Sequence, residues 1–194
     1  MNKQIEDIKA IREMMEKSSK FTSIHGLSLV LAGITAIVGG WYANSLLNSQ
    51  YETAALTFSL LVNALVVLAL AVGIITLFAW QKAKKNHQSL LNSVTRRAAY
   101  NLFVPLAVGG LFSLLLLLRG DVALVASSTL IFYGLALINA SKFTFSEIHF
   151  LGICQVIIGL LAAIFLYHGI LFWIIGFGVF HIIFGAIIYF KYDV

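Results

Sequence analysis

Apolar residues come in six long runs, and polar residues mark the gaps between them. The runs cover about 26–43, 54–79, 102–118, 122–140, 148–166 and 170–190, and none holds an Asp, Glu, Lys or Arg. A helix rises about 1.5 Å per residue and needs about 20 apolar residues to cross a hydrocarbon layer. The pattern therefore predicts an all-α polytopic membrane protein with six transmembrane helices, forming a single domain over 23–194. The second run is long enough to tilt or protrude.

Two segments outside the runs carry helical periodicity. Over 1–22, Ile5, Ile8, Ile11 and Met15 share one stripe, and Glu13–Lys17 and Glu16–Lys20 are i,i+4 pairs in the favourable order. Over 81–99, Leu90, Leu91, Val94 and Ala98 form an apolar stripe opposite basic residues. Both are expected as cytoplasmic amphipathic helices, resting on the lipid surface or docked to a cytoplasmic partner. Pro105 is expected to divide the second of them from the third span, where a first helical turn tolerates the missing N–H.

Composition agrees with the hydropathy pattern. Apolar residues make up 60% of the 194 and charged residues 11%, which excludes a soluble globular domain and a disordered chain. A single cysteine, Cys154, excludes a disulfide framework and a multi-cysteine zinc site. The first 22 residues hold five cations among four acids and lack the apolar core of a secretory signal.

Charge then orients the spans. Of 13 Lys and Arg residues, all but Arg119 fall in the N-terminal tail, the second and fourth gaps or the C-terminus. The positive-inside rule places those segments, and with them both termini, in the cytoplasm; an odd number of spans would spoil the split. The net charge of +5 is thus an orientation signature that lipid headgroups can reinforce, and it calls for no nucleic acid. Trp41, Tyr42, Tyr51, Tyr167 and Trp173 fall near outer span ends, and Trp80, Tyr100, Tyr189 and Tyr192 near inner ones, as interfacial belts do.

Glycines recur at seven-residue spacing: Gly26, Gly33 and Gly40; Gly152 and Gly159; Gly169 and Gly176; Gly178 and Gly185. Seven residues are nearly two turns, so each set lies on one face, where small residues let backbones approach in lipid. The sets serve packing within one bundle or a contact between copies in a homo-oligomer. Spans one and five echo each other (GLSLVLAGITA at 26–36, GICQVIIGLLA at 152–162), with Gly109 in an equivalent place in span three. This suggests three helical hairpins of similar build.

Candidate chemistry is sparse. All eight carboxylates lie at span ends or outside, whereas proton-coupled transport places an ionisable group inside. Metal-binding and nucleophile motifs are missing, so no catalytic residue, metal or cofactor is expected. Tyr133, Gln155 and His181 are the intramembrane candidates, each about 10–13 Å from the inner end of its span by helical rise. They are expected to meet at one level, either as hydrogen-bonded glue between antiparallel helices or as a polar pocket around His181. Asn63 stands alone in the outer half of span two, and Asn139, Ser141, Glu147 and His149 gather near the inner mouth of spans four and five.

The stretches IREMMEKSS, GLSLVLAGI, LIFYGLALINASKFTFSEIHFLGICQ and FWIIGFGVFHIIFGAIIYFKY resemble an uncharacterised family of small bacterial multi-spanning inner-membrane proteins. The resemblance covers nearly the whole chain. It implies a bacterial inner-membrane location and keeps a sensing or accessory role among the readings. Its motifs are packing patterns, so it transfers no catalytic residue. Three function classes follow: a non-enzymatic accessory, sensor or structural membrane protein; a transporter or channel for a small or hydrophobic compound; and, last, an intramembrane enzyme.

Overall fold

The computed structural model describes residues 24–49, 53–85 and 92–194, which are helical with no strand among them. The expected helix over 1–22 lies outside the described residues. Six helices are long and apolar enough to cross a membrane: α1 (Gly26–Leu47), α2 (Thr53–Lys85), α3 (Ser93–Leu118), α4 (Val122–Ala140), α5 (Ser146–Ile164) and α6 (Leu166–Tyr192). Large apolar side chains such as Phe58, Phe103, Ile164 and Phe190 stand exposed on the outside of the bundle, far beyond the patches a water-soluble surface tolerates.

The basic segment at 81–99 is not one separate helix. Its first residues continue α2 to Lys85, residues 86–91 lie outside the described residues, and Asn92 starts α3 by capping Thr95 N–H with its side chain at 2.7 Å. Pro105 therefore sits inside α3 rather than ahead of it. A proline leaves the carbonyl four residues earlier without its helical donor. That carbonyl belongs to Asn101, and Asn139 Nδ2 of α4 donates to it at 3.3 Å. The sequence feature expected to separate two helices instead opens an acceptor that ties α3 to α4.

Consecutive helices α1 and α2, α3 and α4, and α5 and α6 each pack on one another, and the most extensive contacts run from one of these pairs to another. α1 lies between α2 and α6, α4 lies between α3 and α5, and α6 joins the two groups. The closest backbone approaches run between α1 and α6 and between α4 and α5, which are antiparallel. A Cβ on Gly185 would meet Gly26 O and Val30 N at 2.8 Å, and one on Gly33 would meet Gly178 O at 2.7 Å. In the second seam a Cβ on Gly134 would meet Gly152 O at 2.7 Å, and one on Gly152 would meet Gly134 O at 2.8 Å. The echo between spans one and five thus marks the two helices that supply these seams. Gly109 does not join the pattern, because it faces the Phe132 side chain rather than a partner backbone.

Both ends of the described residues meet at one end of the bundle. Asp193, with a side chain only 1% exposed, accepts from Gly26 N–H at 2.6 Å and from Lys82 Nζ at 2.5 Å. A carboxylate there faces the partial positive charge of the α1 N-terminus. His25 Nδ1 accepts from Leu27 N–H at 3.2 Å and stands 3.3 Å from Asp193 Oδ2. Beside this clasp, Lys191 Nζ donates to Glu147 Oε1 at 2.6 Å, and Tyr192 Oη donates to the same carboxylate.

Candidate functional site

α6 is the irregular helix of the bundle. A 3₁₀ turn at Leu166–His168 leads into a short α stretch, Gly169–Trp173, followed by a π segment at Ile174–Phe180 and regular α-helix from His181 to Tyr192. The chain is overwound on one side of Gly169–Trp173 and underwound on the other. π segments inside α-helices are rare and concentrate at functional sites.

The three intramembrane candidates converge on this segment. Gln155 of α5 donates from Nε2 to Gly176 O at 2.9 Å. His181 reaches the same carbonyl through Nδ1 at 3.1 Å, and its Nε2 lies 2.8 Å from Tyr133 Oη of α4. A carbonyl only accepts, so Nδ1 carries the proton of the neutral ring; Nε2 then accepts from the Tyr133 hydroxyl. Gln155 and His181 therefore do not bond each other. They share an acceptor, and its oxygen has two lone pairs to offer.

The node is buried and aromatic on one side. Gln155 is fully buried and His181 nearly so. Phe177 packs against Tyr133 at 5.0 Å between ring centroids, and Trp173 packs against Phe177 at 4.8 Å. Among the described residues one fully buried side-chain polar atom has no partner: Gln155 Oε1, which lies against the Gly176 backbone where a Cβ would come within 2.6 Å. A Cα–H is a weak donor there, so this oxygen is left short of a full hydrogen bond.

Glycine carbonyls are a recurring acceptor in this bundle. Ser127 Oγ donates to Gly159 O at 2.8 Å, and Asn63 Nδ2 donates to Gly39 O at 3.0 Å. A glycine has no side chain to shield its carbonyl, so a neighbouring helix can reach it. The packing glycines Gly26, Gly33, Gly40, Gly152, Gly159, Gly178 and Gly185 all face another helix of the same chain, and Gly176 faces α4 and α5. The seven-residue sets thus serve packing within one chain.

The other polar candidates separate. Ser141 Oγ and His149 Nδ1 are 3.2 Å apart, whereas Glu147 turns to Lys191 and Tyr192 and Asn139 turns to α3. Sequence reasoning missed the hub itself, because a backbone carbonyl leaves no mark in residue type. It also missed Asp193 with Lys82, and Gly134, which has no glycine partner seven residues away to draw attention to it. A lone acid at the chain end and a lone basic residue at the α2 end were the available signals for that pair. Comparison with protein-family models, with curated proteins and with solved structures finds no match to this chain.

Proposed function

We propose that this chain is a multi-pass protein of a bacterial cytoplasmic membrane that works without catalysis, as an accessory, sensing or structural component. The carrying observation is how its intramembrane polar groups are used. Tyr133, Gln155 and His181 close on one another and on Gly176 O, and Ser127 and Asn63 close on glycine carbonyls. Such bonds hold helices together at about 1 kcal/mol each. The reading calls for no cofactor and no nucleic acid.

The orientation rests on charge. Lys82, Lys84, Lys85, Arg96, Arg97, Lys142 and Lys191 stand at the end of the bundle where Gly26 and Asp193 meet, and Arg119 stands at the other. That distribution supports cytoplasmic termini. A reporter fused after Val194 is expected to be active on the cytoplasmic side; a periplasmic signal would reverse the assignment.

A second reading is transport of a small or hydrophobic compound past Tyr133, Gln155 and His181. Two observations favour it: the unpartnered Gln155 Oε1 and the π segment that carries the hub. One experiment separates the readings. Gln155→Cys in a Cys154→Ser background is treated, in membranes, with a hydrophilic thiol reagent. No labelling in folded protein supports the non-transport reading. Rapid labelling means water reaches the node and replaces it with the second.

A further inference from the structure

α2 stands apart from the other helices. None of its most apolar 18-residue stretch is buried, and it packs lengthwise on α1 alone. Its inner end is anchored, since Ala79 and Ala83 are buried and Lys82 holds Asp193. Its outer half carries a groove of 680 Å³ against α1, lined on the α2 side by residues that include Ser59, Asn63, Val66 and Leu70.

Those four residues are spaced four, three and four apart, and Gly73 continues the series. Spacing of that kind is the seam of two parallel helices in a left-handed crossing. Gly73 has open space where a side chain would be, so another backbone can come close there. Opposite the series, Leu65, Leu68 and Val72 are as exposed as Val66 and Leu70 but belong to a different face, whereas Ser59 and Asn63 are half-buried toward α1.

Asn63 decides what fits. Its carboxamide has two N–H groups and one carbonyl oxygen, and only one N–H is engaged, with Gly39 O. One donor and one acceptor remain, both beside the groove. Lipid tails offer neither partner. A second Asn63 offers both, because two copies in one membrane share an orientation and meet about a two-fold axis along its normal. Each remaining N–H then reaches the other copy's Oδ1.

We propose that α2 is a homodimer seam, in which Ser59, Asn63, Val66, Leu70 and Gly73 pack against the same residues of a second copy and Asn63 pairs with Asn63. The α1–α2 groove receives the side chains of the opposing helix. This inference needs the membrane-spanning part of the proposed function and nothing of its non-catalytic role.

The test uses the full chain in lipid vesicles at low protein density. Labelled protein is expected to bleach in two steps, and Asn63→Leu is expected to weaken self-association about tenfold. Because Asn63→Leu also removes the bond to Gly39, cysteine cross-linking in the Cys154→Ser background provides a reading with Asn63 intact. Val66→Cys and Leu70→Cys are expected to give an oxidised product of twice 21.3 kDa, and Leu65→Cys, Leu68→Cys and Val72→Cys are not. Single-step bleaching of the parent protein, cross-linking at all five positions alike, or cross-linking to a chain of another mass would each overturn the proposal.

Discussion

The last helix meets its neighbours in two different ways. Toward α1 it removes side chains: Gly178 and Gly185 bring its backbone against that of α1, with Gly26 and Gly33 doing the same from the other side. Toward α4 and α5 it offers polar groups, the Gly176 carbonyl and the His181 ring. The first contact depends on volume and the second on matched donors and acceptors. In lipid neither gains from a hydrophobic driving force, so close packing and hydrogen bonding are what remain to hold helices together.

The two contacts should fail in different ways, measured as unfolding free energy in mixed micelles. The largest loss is expected for Gly185→Ala. Its Cβ would press on Gly26 O and Val30 N, backbone atoms that cannot swing aside. Overpacking of this kind costs about 2–3 kcal/mol. A neutral result would show that the seam can open and would erase the contrast with the node.

His181→Leu is expected to come next, at about 1–2 kcal/mol, because Tyr133 keeps a hydroxyl that has lost its acceptor. A cycle with Tyr133→Phe sharpens the point. Those two substitutions should couple by about 1 kcal/mol, whereas Gln155→Leu and His181→Leu should couple by less than about half of that. Stronger coupling of Gln155 with His181 than of Tyr133 with His181 would contradict the shared-carbonyl geometry.

Gly176→Ala should cost less than Gly185→Ala, at about 1 kcal/mol, since its Cβ meets the far ends of Leu130 and Gln155 rather than backbone. Gln155→Leu should be the mildest, at under about 1 kcal/mol, because the substitution removes the unpartnered Oε1 together with the bond to Gly176. If Gln155→Leu proved the most damaging of the four, Oε1 would have a role that neither packing nor the hub explains.

Side-chain chemistry made much of this legible from sequence. Six apolar runs gave six helices of suitable length, and the only Tyr, Gln and His deep in spans four, five and six proved to be neighbours. What sequence could not display was carried by the backbone. The Gly176 and Asn101 carbonyls are acceptors because of local winding and a proline four residues on, and neither appears as a residue type. Helix ends were also hidden, since polar residues such as Gln81 and Arg96 extend α2 and α3 past the apolar runs at no cost in hydrogen bonding. Pairings across the whole chain, such as Asp193 with Gly26 N–H, follow from topology and leave no local pattern.

The contact between Gly26 and Asp193, separated by 167 positions, also says something about assembly. α1 leaves the ribosome well before its main partner, α6. Throughout synthesis the glycine face of α1 waits in the bilayer with α2 alone for company, and the clasp at its N-terminus closes only after Asp193 has emerged. Translation order and packing order run opposite to each other here. A chain stopped before α6 lacks the contact that fixes α1 in place. The finished fold is thereby a check that synthesis has carried through α6 to Asp193.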